Sequence, residues 1–263
     1  MDKQQEATRI HKGLKILFWL SLLIFFVYSF QNTMDLEGIA NPRRQESFLR
    51  VLTALFQPNF LDGETGRQVA TKMWETIQIA FLATTMSAVF AIPFTFLSAR
   101  PSSLWGRGFN LLLQPVLSAI RAVHPLIVTV PAIVLAGIGP TAGVLSLIFF
   151  STAVLVDDFS EYAQQQTFLN WPELLKVHFP GLAFKRLSIN TLIATVIGFM
   201  GGGGIGILFR QQISLLNYRE ASVAILACIV TIGSLDLFSR AVWYKIQKHE
   251  TSLPSTPEVA NLH

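Results

Sequence analysis

Five stretches of this chain, residues 16–34, 76–99, 122–156, 187–209 and 221–235, contain no Asp, Glu, Lys or Arg. At 1.5 Å rise per residue, about 20 apolar residues cross a hydrocarbon core about 30 Å thick. Backbone N–H and C=O groups find no water there, so such segments must satisfy them internally, as helices do. The composition agrees: 51% hydrophobic, 14% charged, with a mean hydropathy of +0.48. An integral, all-α membrane protein is expected, and a large soluble enzymatic domain is excluded. The single cysteine, Cys228, lies in an apolar run and cannot support a disulfide framework or a Cys-rich metal site. The net charge of +4 reads as membrane topology. The 21 Phe sit mostly in apolar runs rather than interleaved with Lys and Arg, so no nucleic-acid partner is implied.

The runs resolve into about six spans: Leu14 to Phe30, Trp74 to Ala99, Phe109 to Ala136, Thr141 to Val156, Leu187 to Phe209 and Glu220 to Tyr244. The first follows a polar start and lacks a small-residue cleavage site, so it reads as a retained anchor. Residues 1–70 then form an anchor and an external loop, and 71–244 form the transmembrane domain with a polar loop at 157–186. Residues 245–263 form a disordered tail. Lys and Arg collect in cytoplasmic segments. With the N-terminus inside, twelve of the twenty fall there, so both termini are expected in the cytoplasm.

Motifs that would give the chain its own chemistry are missing. There is no G-x-x-x-x-G-K-[ST] for nucleotide binding, and the five histidines form no H-x-x-x-H pattern. Asp157, Asp158 and Glu161 permit a Mg²⁺-dependent membrane phosphotransferase as a second reading. They also suit the acidic start of a solvated helix. Asp236 and Arg240, four apart, predict an intrahelical ion pair. The glycine run Gly201-Gly202-Gly203-Gly204-Ile205-Gly206 has two compatible readings. One is close helix packing through small residues; the other is an unwound element beside a permeation path.

Arg121 interrupts the third span together with His124, Pro125 and Pro131. A charge at the bilayer centre costs roughly 2.5 to 3.5 kcal/mol on insertion scales, so it should face a cavity or a partner. Either Arg121 lies near mid-membrane on one kinked helix, or it marks the boundary between two shorter segments. In both cases Arg121 and His124 supply donors at a helix break. The start of the fourth span, Gly139-Pro140-Thr141, offers helix N-terminal amides to an anion. These groups, with Gly201, Gly203, Gly204 and Gly206, are the candidate substrate pathway.

Four ordered patterns resemble the permease subunit of phosphonate-type ABC importers. They are Glu75-Thr76, Arg121-Ala122-Val123-His124-Pro125, the segment Gly137 to Leu147, and the segment Gly198 to Gly206. The resemblance covers about 75–243. It implies a type I importer permease fold and a non-enzymatic subunit that binds no cofactor. It further implies a second permease subunit, identical or not, two cytoplasmic ATPases that hydrolyse ATP, and a periplasmic solute-binding protein. The implied location is the bacterial inner membrane. The ATPase-coupling loop of that family maps onto Glu161, Ala163, Val177, Phe179 and Pro180. Thr167 stands at its glycine position and Tyr162 at its first alanine. Phosphonate, phosphite or phosphate is the implied cargo. A non-transporting membrane scaffold is the third reading.

Overall fold

The computed structural model describes residues 2–59, 63–98, 104–165 and 179–251, and the helices in them are named here in chain order. Two compact units divide the chain, Met1–Thr53 and Ala54–His263. In the first, α1 (Asp2–Thr33) carries the candidate span Lys12–Thr33, none of which is buried. A short α2 (Leu36–Ala40) follows, N-capped by Asp35, which accepts from the Gly38 N–H at 2.7 Å. Arg44 pairs with the same carboxylate at 3.0 Å. The Gly38 amide and the Arg44 guanidinium hold the Asp35 carboxyl below its usual range. The amphipathic α3 (Pro42–Leu55) comes next, where a loop is expected from the sequence.

In the second unit, α4 (Gly63–Ser98) is the hub. Its inward face is built of small residues: Ala80, Ala83, Ser87 and Ala91 are all fully buried. Lipid is as apolar as leucine, so helices associate in a bilayer through close backbone approach, and small residues permit it. Large side chains such as Trp74, Phe81, Leu82 and Phe90 point outward, as lipid-facing positions should.

Three buried clusters pack on this face. Ala88 and Ala91 meet Leu117 of α5 (Leu104–Ala122) and Val156 and Phe159 of α7 (Pro140–Gln165). Ile79, Ala80 and Ala83 meet Leu147 of α7 and Ala194 and Ile197 of α8 (Phe179–Phe199). Val69 and Met73 meet Ile205 and Leu208 of α9 (Ile205–Ser214) and Val223 and Ala224 of α10 (Tyr218–Thr251).

The third expected span is not one helix. α5 and α6 (Pro125–Ala136) meet at a bend of 92°. Pro125 has no N–H to continue the ladder, and residue 124 is pushed out of the helical region. The boundary reading of Arg121 therefore holds. Counting the bent pair as one, the helices allow up to six spans. The fifth expected span, Leu187 to Phe209, is likewise broken, because α8 ends at Phe199 and α9 starts at Ile205. The expected loop 157–186 is helical at both ends, through Gln165 and from Phe179, and α10 stays helical to Thr251. Thr167, Val177 and residues 252–263 of the tail lie outside the described residues.

Candidate functional site

The glycine run forms a backbone joint. Gly201, Gly203 and Gly204 have φ of +116°, +87° and +70°, a region that L side chains rarely adopt. A Cβ on Gly203 would stand 2.7 Å from the Cα and N of Pro140. One on Gly206 would stand 2.3 Å from the Thr195 carbonyl oxygen. The Gly139 N–H donates to the Gly201 carbonyl at 2.9 Å, so the start of α7 is tied to the break after α8. Here the run is both unwound and tightly packed.

The free amides at the start of α9 are capped from a distant part of the chain. Glu75 Oε1 accepts from the Gly204 N–H at 2.9 Å, and Thr76 Oγ1 accepts from the Ile205 N–H at 2.8 Å. Thr76 donates in turn to the Lys72 carbonyl at 2.9 Å, and Lys72 Nζ pairs with the second Glu75 oxygen at 2.7 Å. A helix start normally finds such acceptors one residue upstream. Gly204 has no side chain to offer, so α4 supplies them. Glu75 and Thr76 sit well inside α4, on the side facing α9.

A buried polar seam crosses the bundle below this joint. Asn190 of α8, fully buried, donates to Thr84 Oγ1 at 2.9 Å and accepts from Ser151 Oγ at 2.8 Å. Thr84 completes the chain by donating to the Ala80 carbonyl at 2.7 Å. Each polar group has its partner, so burial carries little penalty and α4, α7 and α8 are locked in one register. Sequence reasoning missed this seam. The only signal was an Asn inside a charge-free run.

Asp157 lies seventeen residues after Pro140, about 25 Å along the helix, so it sits near the opposite face of the bilayer from the joint. Arg121 ends α5 there and forms an ion pair with Asp157, and its Nη2 donates to Ser118 Oγ at 3.0 Å. It is half-buried, in the last turn of α5 beside the break. Close by in sequence to Asp157, Asp158 faces the positive field of Arg186 on α8. Arg186 is only 7% exposed, and its guanidinium lies 5.2 Å from the Phe150 ring centroid. Arg186 lies in the segment 157–186 that the sequence reads as a polar loop; the structure buries it. Arg186 Nε and Nη2 have no hydrogen-bond partner among the described residues.

Not all expected pathway residues come together. His124 is the N-cap of α6, its Nδ1 accepting from the Leu126 N–H at 3.2 Å. Twelve residues of α6 separate it and Arg121 from Gly139. Gly139 spends its N–H on Gly201 and Pro140 has none, so Thr141 and Ala142 hold the donors at the start of α7. Of the coupling residues, Glu161 is exposed near the end of α7, Ala163 lies in its last turn, and Phe179 and Pro180 begin α8. Asp157 is engaged by Arg121, which competes with any cation. The expected Asp236–Arg240 pair is present at 2.8 Å.

No family profile matches the chain. It is 27% identical over 186 residues to a Mycolicibacterium smegmatis protein named as the phosphate-import permease PhnE, covering 64% of this chain and 35% of that one. A Stutzerimonas stutzeri protein, HtxC, named as a phosphite transport system permease, is 20% identical over 246 residues, 86% of this chain and 84% of its own length. An Escherichia coli K12 protein, PhnE1, named as a cryptic phosphonate transport system permease, is 28% identical over 134 residues, half of this chain and 61% of its own length. The chain thus spans about a third of the first of these relatives and most of the second. Among solved structures, a chain of the MetNI methionine ABC transporter in inward-facing conformations matches with a TM-score of 0.54 at 13% identity, over 70% of this chain and 99% of that one. The fold is that of an ABC importer permease, and the resemblance to phosphonate-type permeases is borne out. The protein is a multi-pass protein of the inner membrane.

Proposed function

We propose that the chain is the permease subunit of an ABC importer that carries phosphonate or a related phosphorus oxyanion, phosphite or phosphate, across the inner membrane. One observation carries this reading. A bundle with an importer-permease fold has relatives that are all named for moving phosphorus oxyanions. The chain performs no chemistry itself. Two cytoplasmic ATPases supply the energy, a second permease subunit completes the path, and an external binding protein delivers the anion. Both termini and the segment 157–186 face the cytoplasm in this reading, which cysteine labelling at Glu37 (outside) and Gln165 (inside) checks.

The proposed mechanism follows from which parts are rigid. The Asn190 seam and the glycine joint make α4, α7 and α8 one body, so a push on the segment between α7 and α8 moves that body whole. The α5–α6 elbow is held at the same level by the Arg121–Asp157 pair. A strongly hydrated oxyanion needs donors along its way that do not hold it tightly. The exposed Thr141 supplies an amide near one face, and Arg121 with His124 stand near the other. Reconstitution with the ATPase and binding-protein partners tests the whole reading. ATP-dependent uptake of radiolabelled phosphite, phosphate or methylphosphonate is expected. An assembled complex with active ATPases that imports none of the three overturns it.

Glu161 tests the coupling assignment separately. It is exposed near the end of α7, so its truncation takes no side chain out of the buried clusters. Glu161→Ala is expected to leave the amount of folded protein unchanged and to lower transport-linked ATP hydrolysis about fivefold, the effect of one contact of about 1 kcal/mol. Parental ATPase rates that still respond to the binding protein contradict the assignment.

A further inference from the structure

We infer that α3 is a membrane-interface helix whose apolar face is covered by the acyl chains and headgroups of the leaflet where α1 ends. The inference rests on neither the transport activity nor the orientation proposed above.

The first observation is the pattern of α3. Successive residues step about 100° around a helix, so Phe48, Val51 and Leu52 fall on one side, and Arg43, Glu46 and Arg50 on the other. Two polar residues of the first turn fall on the apolar side, Arg44 within it and Gln45 at its edge, and both are used within the unit. Arg44 binds Asp35, and Gln45 Nε2 donates to the Ile39 carbonyl at 3.1 Å. The apolar stripe is therefore not compromised by unpartnered polar groups.

The second observation is that the protein leaves this stripe uncovered. No residue of α3 is buried; on the stripe Phe48 is 65% and Leu52 37% exposed, and Val51 is half-buried. In water such a stripe would be costly, since each large side chain left exposed forgoes about 1.5 to 3 kcal/mol of burial.

The third observation identifies the occupant. Only eight residues separate the end of α1 at Thr33 from Pro42, and seven separate Leu55 from the start of α4 at Gly63. No candidate span lies between them among the described residues. Both tethers thus emerge on one face of the bilayer, and each is too short to carry α3 far from it, at about 3.5 Å per residue at most. A helix of fourteen residues is too short to cross. Held at the surface with one apolar and one charged side, it lies in the interface plane. With Arg44 neutralised by Asp35, Arg43 and Arg50 against Glu46 leave its polar side with a net positive charge, which complements the anionic headgroups of a bacterial membrane.

The test uses the full-length chain in vesicles of phosphatidylcholine and phosphatidylglycerol. In a Cys228→Ser background, Phe48→Cys and, on the opposite face, Glu46→Cys each carry an environment-sensitive fluorophore. A nitroxide placed shallowly on lipid acyl chains should quench the label at 48 and spare the one at 46. Aqueous iodide should show the reverse, with a quenching constant about fivefold lower at 48 than at 46. Leu52→Cys, one turn on, should repeat the behaviour of 48. Equal access of iodide to 48 and 46 overturns the inference, as a helix in water would give. Protection of 48 from both quenchers also overturns it, because the face would then be covered by protein, from a second copy or another chain.

Discussion

Gly203→Leu is expected to abolish the folded protein before it affects transport. Holding a non-glycine residue at φ of +87° costs about 1 to 3 kcal/mol. The new Cβ would also stand 2.7 Å from the backbone of Pro140, which cannot swing aside as a side chain would. Overpacking of that kind adds about 1 to 3 kcal/mol or more. Against a total stability of about 5 to 15 kcal/mol, the combined penalty removes a large share. Gly204→Leu should behave alike, since its Cβ would meet Thr76 Oγ1 and loosen the cap on α9. Gly233 on α10 is the control: nothing lies within 4 Å of its Cβ position, so Gly233→Leu should extract and assemble at parental levels. Monodisperse protein after detergent extraction, measured beside uptake, decides the matter. The reading of the run as an element beside a permeation path leads to the opposite expectation, that transport is blocked more than expression falls. Parental amounts of folded Gly203→Leu protein without uptake would restore that view and make the run a gate.

Reversing the Arg121–Asp157 pair should destabilise singly and recover jointly. Arg121→Asp sets two carboxylates face to face at the end of α5, and Asp157→Arg sets two guanidinium groups there. The pair is half-buried and partly screened, so a coupling of about 1 to 2 kcal/mol is expected in the double-mutant cycle. Thermal unfolding of the detergent-solubilised chain reads it, with the double swap melting above either single variant. Uptake by the swapped protein separates two roles. If Arg121 serves as a brace for the α5–α6 elbow, the swap restores transport along with stability. If it contacts the passing anion, the swap restores stability alone, because the charge has moved to α7. A double swap no more stable than the sum of its singles shows that the contact carries no energy.

How much of the site was legible beforehand depends on the range of the interaction. The Asp236–Arg240 pair was readable because four residues along a helix place two side chains on one face whatever surrounds them. The break after Ala122 was readable for the same local reason, since Pro125 disrupts a helix by its own geometry. Glu75 and Thr76 were legible only as part of a resemblance. Their partners, the N–H groups of Gly204 and Ile205, are 129 positions away, and no spacing rule links them. The burial of Arg186 was not legible because charge counting registers which side of the membrane a residue is near, not whether Phe150 covers it.

The sequence by itself determined that the chain is a bundle of membrane helices, and roughly where each one crosses. Charge-free length is a property of a segment alone, and the bilayer enforces it on every segment independently. Only the tertiary structure decided which ends of those helices are joined. The glycine run became a backbone joint because Pro140 came to lie against it. Asn190 became a tie because Thr84 and Ser151 arrived beside it, and Arg121 took a boundary position because Asp157 was at the same depth. Such choices depend on the register between helices distant in sequence, set by close packing and by the cost of leaving any buried polar group without a partner.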